Sequence, residues 1–210
     1  MYGLLGIGAV LVSASWGAAG DEQVEEGFVS LWDGTSLEGW TISENQDSWS
    51  IQDGAIVAKG ERSHLFYTGE LAPFKNFELR VDCKTEANSN GGIYFHTQFQ
   101  ETGWPKFGYE TQVNNSHKDP KRTGSLYAVS NVLKQHIPDG QWWTQTILVE
   151  GNHVQIKLDD EVVVDFYEPP GVGAASPDFE RRLGEGTFAL QAHDPGSTVY
   201  FRNIRVRKLP

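Results

Sequence analysis

Crosslinks cannot hold this chain together. Its 210 residues include a single cysteine, Cys83, so no internal disulfide exists and the thiol reads as a small buried hydrophobe. Basic charge is scarce as well. Lys and Arg total 17 against 28 Asp and Glu, a net charge of −11, and this excludes nucleic acid as a default partner because neutralising phosphates needs a basic surface. Charged residues make up only 21%, which rules out a long coiled coil or an acidic disordered tail. No stretch carries a helical period over several turns, and no apolar run is long enough for a stable membrane span.

What is abundant is glycine, with 23 residues, and aromatic side chains, at 12% with seven tryptophans. The first residues read as an export signal: residues 4–12 form an apolar run of h-region length, followed by small residues and then Asp21 and Glu22. Cleavage after Ala19 leaves Gly17 and Ala19 at the small-residue positions, although Met1-Tyr2-Gly3 lacks the usual basic residue. The expected organisation is therefore a signal peptide over 1–19, a short linker over 20–26 and one domain over 27–210, with a periplasmic, cell-surface or secreted location. One sheet-rich core of that length is stable without staples.

From Phe28 onward the dominant period is two. Phe77, Leu79, Val81 and Cys83 alternate with Glu78, Arg80, Asp82 and Lys84, the pattern of a strand with one wet face. Segments 143–150 and 154–158 flank Gly151-Asn152, and segments 49–52 and 55–58 flank Asp53-Gly54; both are hairpin signals. Further strands are expected over 92–98, 109–114, 161–167, 187–193 and 198–207. Ten or more short strands separated by Gly, Pro, Asn and Asp predict an all-β fold, a two-sheet antiparallel sandwich. The irregular regions 100–107, 115–123, 130–140 and 169–185 are long for plain connections and are expected to rim a site.

Alternation also says which side chains leave the core. With Ile93, Phe95, Thr111, Val113, Leu190, Ala192, Val199 and Phe201 inside, the outward set is Tyr94, His96, Gln98, Glu110, Gln112, Asn114, Gln191, His193, Tyr200 and Arg202. A solvated sheet face favours Lys, Glu, Thr and Ser. Rings, amides and one carboxylate suit a sugar instead, whose hydroxyls need paired polar partners and whose apolar face stacks on aromatic rings.

Several segments occur in an order that is more specific than any one of them. They are Gly27-Phe28-Val29-Ser30-Leu31-Trp32-Asp33-Gly34, Trp49-Ser50-Ile51-Gln52-Asp53-Gly54, Asn76-Phe77-Glu78-Leu79, Asn90-Gly91-Gly92-Ile93-Tyr94-Phe95, Gly108-Tyr109-Glu110-Thr111-Gln112, Thr123-Gly124-Ser125-Leu126-Tyr127 and Tyr200-Phe201-Arg202-Asn203-Ile204. In this the chain resembles the 3-keto-disaccharide hydrolase family, over residues 27–209. The resemblance implies a concanavalin A-like jelly-roll sandwich, export, and cleavage of glycosides whose sugar carries a ketone at C3. Such a ketone acidifies the C2 proton, so one base, a donor set for the enolate and an acid for the leaving group suffice. The flanking carboxylate pair of ordinary glycosidases is not needed, and no Glu-x-Asp pair occurs anywhere in the chain.

Glu110, in the family's Tyr-Glu-x-Gln segment, is the expected base. His193 and His96 are the other catalytic candidates. Many relatives have adjacent Asp and His after Gln191, where this chain has Ala192-His193-Asp194, and many carry Arg at the place of His96. Tyr94, Trp104, Gln112, Tyr127, Gln191 and Arg202 are candidate substrate-binding residues, with Trp104 as a stacking platform. The sequence fixes no cofactor and leaves a divalent metal open; one, if held, would draw on Glu110, His96 and His193. A non-catalytic carbohydrate-binding module on the same sandwich is the competing expectation. Trp32, Trp40, Trp49 and Trp143 are expected in the core.

Overall fold

The computed structural model describes residues 25–210; the expected signal over 1–19 and most of the linker lie outside the described residues. Thirteen strands and one 3-10 turn, Gln46–Ser48, form the regular structure there, arranged as two antiparallel sheets. The larger sheet runs β11 (Glu161–Tyr167), β10 (His153–Leu158), β9 (Trp143–Glu150), β6 (Phe77–Thr85), β13 (Val199–Lys208), β4 (Ala55–Ala58) and β3 (Trp49–Gln52), with β1 (Val29–Ser30) paired to β13. The smaller runs β2 (Trp40–Ile42), β5 (Ser63–Tyr67), β12 (Thr187–Ala192), β7 (Gly91–Thr97) and β8 (Tyr109–Val113). The chain crosses repeatedly between sheets, and the result is a jelly-roll sandwich. No helix among the described residues is long and apolar enough to cross a membrane.

The alternating residues meet between the sheets. Leu79, Val81, Cys83, Ile147, Val149 and Phe201 from the larger sheet face Leu65, Ile93, Phe95 and Leu190 from the smaller, all at most 1% exposed. Trp32, Trp40, Trp49 and Trp143 join them. Each indole N–H is satisfied inside: by Ser36 O, Leu31 O, Ser63 Oγ and Gln145 Oε1 respectively. A buried indole left without an acceptor would offset much of its packing gain. Cys83 is free and buried. At Asp53-Gly54 both residues take left-handed conformations, φ +50° and +69°, as the two-residue turn requires.

The two sheets differ in what covers their outer faces. Strands β6 and β10 alternate buried and half-buried residues, as a wet face demands. Strands β5, β7 and β12 are buried at every position, because loops lie over the second face of the smaller sheet. Sequence reasoning missed β5 for that reason: Ser63-His64-Leu65-Phe66-Tyr67 has no polar alternation to read. Strands β1 and β2, at two and three residues, are too short to show a period.

The fold corrects one expected binding residue. Arg202 does point outward, but from β13 in the larger sheet, on the far side of the sandwich. Its guanidinium stacks 4.0 Å from the Trp142 ring centroid and lies 3.8 Å from Asp82. Alternation assigns a side chain to a face of its own strand and is silent on which sheet the strand joins.

Candidate active site

Three neighbouring strands of the smaller sheet build the floor of a pocket. Tyr94 on β7 is the cross-strand partner of Glu110 on β8, and Gly92 is the partner of Gln112. On the other side of β7, Ala189 and Leu190 of β12 pair with Tyr94 and Ile93, which brings Gln191 level with Gly92. Because Gly92 has no side chain, Gln191 reaches across β7 and donates from Nε2 to Glu110 Oε1 at 3.1 Å. A Cβ on Gly92 would sit 2.4 Å from that same oxygen. The second hydrogen on Gln191 Nε2 goes to the Tyr94 hydroxyl, at 3.0 Å, and Tyr94 in turn hydrogen-bonds the Glu110 carboxylate.

This setting controls the Glu110 proton. Burial lifts its pKa to about 7, against the hydrogen bonds from Tyr94 and Gln191 and the positive charge of Arg181, while Asp119 adds to the rise. Burial and the adjacent carboxylate hold the Tyr94 hydroxyl protonated, well above the ordinary tyrosine range. A carboxylate poised near neutrality can take a proton and return it, which is what a general base that later serves as an acid must do.

Loops complete the walls. The pocket encloses about 310 Å³ and is also lined by Asn90, Trp104, Asp119, Tyr127, Phe179, Arg181 and His193. That volume is at the small end of ligand pockets, which run from about 300 to 1,000 Å³, and fits one sugar ring. Three of the four irregular regions supply a wall: 100–107 brings Trp104, 115–123 brings Asp119, and 169–185 brings Phe179 and Arg181. Arg181, at φ +44°, stacks its guanidinium on the Phe179 and Tyr127 rings, at 5.0 and 5.5 Å. Such a left-handed arginine is costly and is tolerated where it aims a side chain.

His193 follows β12 directly. Its Nδ1 pairs with Asp194 Oδ2 at 2.7 Å, and its ring packs on Trp104 at 5.3 Å and His117 at 5.8 Å between centroids. Burial pushes Asp194 upward, yet hydrogen bonds from His193, Ser197 and the Gly196 N–H hold it below the ordinary aspartate value. His193 is thus paired with an acidic side chain from the position that follows it. Gln112 donates to Asn90 Oδ1 at 3.0 Å, so both amides are held in fixed orientations at the pocket wall.

The structure brings Glu110, His193, Tyr94, Trp104, Gln112, Tyr127 and Gln191 together and leaves His96 out. The alternation of β7 breaks after Phe95: β7 and β12 shift register there, and His96 adopts φ +55°. Its ring turns to the far end of the strand, where Nε2 meets Lys75 O at 2.8 Å and Nδ1 accepts from the Gly184 N–H at 3.2 Å. Burial pushes its pKa down. His96 is a satisfied structural histidine in a separate cavity lined by Glu168, Glu180 and Glu185. The metal set of Glu110, His96 and His193 falls with it, and no group of three His, Cys, Asp or Glu side chains is placed to hold a metal among the described residues.

Sequence reasoning missed Asn90, Phe179, Arg181 and the clamp that seats Trp104. Glu44 accepts from Thr102 Oγ1 at 2.8 Å, from the Gly103 N–H at 3.1 Å and from Arg62 Nε at 2.8 Å, and the Arg62 guanidinium lies 5.3 Å from the Trp104 ring centroid. The Arg62 hydrogen bond, opposed by burial and helped by Thr102, Gly103 and the Arg62 charge, lowers the Glu44 pKa to about 2. Glu44 and Thr102 are 58 residues apart, and nothing local connects them.

The jelly roll thus carries a small pocket of amides, rings and one tuned carboxylate. Solved structures share the fold: a candidate glycosyl hydrolase from Parabacteroides distasonis superposes with a TM-score of 0.71 at 24% identity, over 88% of this chain and 95% of that one. The carbohydrate-binding module CBM66 from Bacillus subtilis gives 0.56 at 19% identity, over 80% and 94%. Residues 27–207 match the model of the 3-keto-alpha-glucoside-1,2-lyase-like domain, and the chain belongs to that family. A relative from Bacteroides thetaiotaomicron, a 3-keto-disaccharide hydrolase, is 27% identical over 88% of this chain and 79% of its own length.

Proposed function

We propose that the protein is an exported enzyme that cleaves the glycosidic bond of 3-keto-glycosides by C2 deprotonation, elimination and rehydration. The observation that carries this reading is Glu110, a carboxylate held by Tyr94 and Gln191 on the pocket floor with its pKa raised to about 7.

Glu110 takes the C2 proton, and the electron pair of the C–H bond moves toward the C3 carbonyl as the enediolate. Arg181 and the Gln112 and Asn90 amides line the pocket and are the donors for the developing oxyanion in this scheme. Collapse of the enediolate re-forms the C3 ketone, makes the C1–C2 double bond and breaks the bond from C1 to the glycosidic oxygen. That oxygen takes a proton from His193, whose Nδ1 is engaged by Asp194 so that Nε2 is the exchanging nitrogen. Water then adds across C1–C2, hydroxyl to C1 and proton to C2, and the sum is hydrolysis. Trp104 and Tyr127 offer flat surfaces to the sugar ring.

The test pairs a 3-keto-disaccharide with its unoxidised parent. Turnover of the keto sugar alone is expected, with a kcat that falls at pH below about 7 as Glu110 is protonated. Glu110→Gln is expected to lose about 10²- to 10⁴-fold. If both sugars bind and neither is turned over, the protein is a binding module on the same sandwich.

A further inference from the structure

The pocket mechanism makes no use of the most unusual side chain beneath it. His64 lies on β5, the strand beyond β12, where it is the cross-strand partner of Gln191. It is fully buried, with its ring edge-on to Tyr94 at 5.5 Å and to Trp104 at 5.6 Å. Neither ring nitrogen has a hydrogen-bond partner, and neither does Oε1 of Gln191. Only five buried side-chain atoms among the described residues are orphaned, and three of them sit on this one cross-strand pair. Buried polar atoms are satisfied in the great majority of native cases, and a cluster of exceptions marks a functional arrangement or a bound water.

The pair has a clear geometric role to fill. Gln191 uses both hydrogens of its Nε2 on the Tyr94 hydroxyl and Glu110 Oε1. The reversed amide would turn its carbonyl oxygen toward the carboxylate. Holding the useful orientation requires a donor on the Oε1 side, and His64 is the side chain directly opposite Gln191 on β5. Burial lowers the His64 pKa to about 3, so the ring is neutral at ordinary pH, with one N–H to donate and one nitrogen to accept. A charged imidazolium there would instead disturb the carboxylate.

We infer that His64 is a positioning residue: it donates to Gln191 Oε1 through one bridging water, locks the Gln191 amide, and by that lock sets the protonation of Glu110. The relay runs across four strands, from β5 to β12 and over the bare Cα of Gly92 on β7 to β8. Other groups face its two ends. Glu110 sees Tyr94, Gln191, Arg181 and Asp119, and His64 sees Glu44, Arg62 and His193. Apart from Gln191, which is itself replaced in one variant, all of these are kept unchanged in the variants below.

The inference deepens the proposed function, but its test needs no substrate, so the two fail separately. The titration of the Glu110 side-chain carboxyl, followed by carbon-13 NMR in the full chain and assigned with Glu110→Gln, is compared in wild type, His64→Phe and His64→Gln. Loss of the lock weakens a hydrogen bond to the charged carboxylate. The Glu110 midpoint is therefore expected to rise by about one pH unit in His64→Phe and to return toward wild type in His64→Gln, which again offers an N–H. A folded His64→Phe whose Glu110 midpoint stays at the wild-type value overturns the inference. If His64→Phe does not fold, Gln191→Leu and His64→Gln decide. Gln191→Leu must raise the midpoint and His64→Gln must leave it near wild type; failure of either result overturns the inference.

Discussion

Burial raises the Glu110 pKa to about 7, and its neighbours fix the carboxylate in place. Tyr94 and Gln191 supply hydrogen bonds, and Gly92 supplies the space in which the Gln191 bond forms. Because the atoms nearest an added Cβ at Gly92 are all in the Glu110 side chain, Oε1 at 2.4 Å and Cγ at 3.0 Å, Gly92→Ala should displace the carboxylate rather than the backbone. Turnover of the 3-keto substrate is expected to fall about 10²-fold, with a thermal midpoint within a few degrees of wild type. A variant that loses fold and activity together would show that Gly92 serves the sheet instead. At this scale much of the site was legible: Tyr94, Glu110, Gln112, Gln191 and His193 all leave the core of their strands as alternation predicts. His96 was not legible, because a bulge changes the phase of β7 after Phe95 and a period-two rule cannot see its own interruption.

Strands set the floor of the pocket, and loops tied down by distant residues set its walls. The Trp104 loop is the clearest case. Its backbone is braced internally by Gln100, which donates to Thr102 O and Trp104 O at 2.8 and 2.9 Å, and externally by Glu44. With the Glu44 pKa at about 2 against an ordinary 4.5, the clamp's contribution is fully present above pH 4.5 and is lost as pH falls toward 2. Glu44→Gln should therefore cost about 1–2 kcal/mol near neutral pH, discounted for the partly exposed Arg62. Denaturant unfolding at pH 7 and pH 3 checks this, the gap between wild type and variant being expected to shrink at the lower pH. A raised KM for the keto sugar with kcat little changed is expected alongside, since on the proposed function Trp104 stacks on the sugar ring and takes no part in bond breaking. Three of the four expected loops do rim the pocket, 130–140 being the exception, but their anchors were not legible, because a glutamate and a threonine 58 residues apart leave no joint signal in a single sequence.

The sandwich as a whole does without a crosslink, and its only thiol is buried at Cys83. Four satisfied core tryptophans and two apolar sheet faces hold it, and on the proposed export that core serves in place of a disulfide. On the export reading, expression with the native leader should deliver a mature chain beginning at Gly20 outside the cytoplasm. Intact-mass measurement checks this, and retention of Met1 in the extracytoplasmic fraction would overturn it. The excess acidic charge is spread over many elements and reads as solubility for such a protein. By itself the sequence determined ten of the thirteen strands, the turn at Asp53-Gly54, the core tryptophans and the family resemblance, because period-two burial and turn chemistry are local properties of the chain. Only the tertiary structure decided that Arg202 belongs to the opposite sheet, that His96 falls out of phase, that Arg181 enters the Glu110 pocket, that Glu44 braces the Trp104 loop and that His64 lies opposite Gln191. Those facts depend on which strands become neighbours and which loops fold over them, and that is settled by packing between residues far apart in the chain.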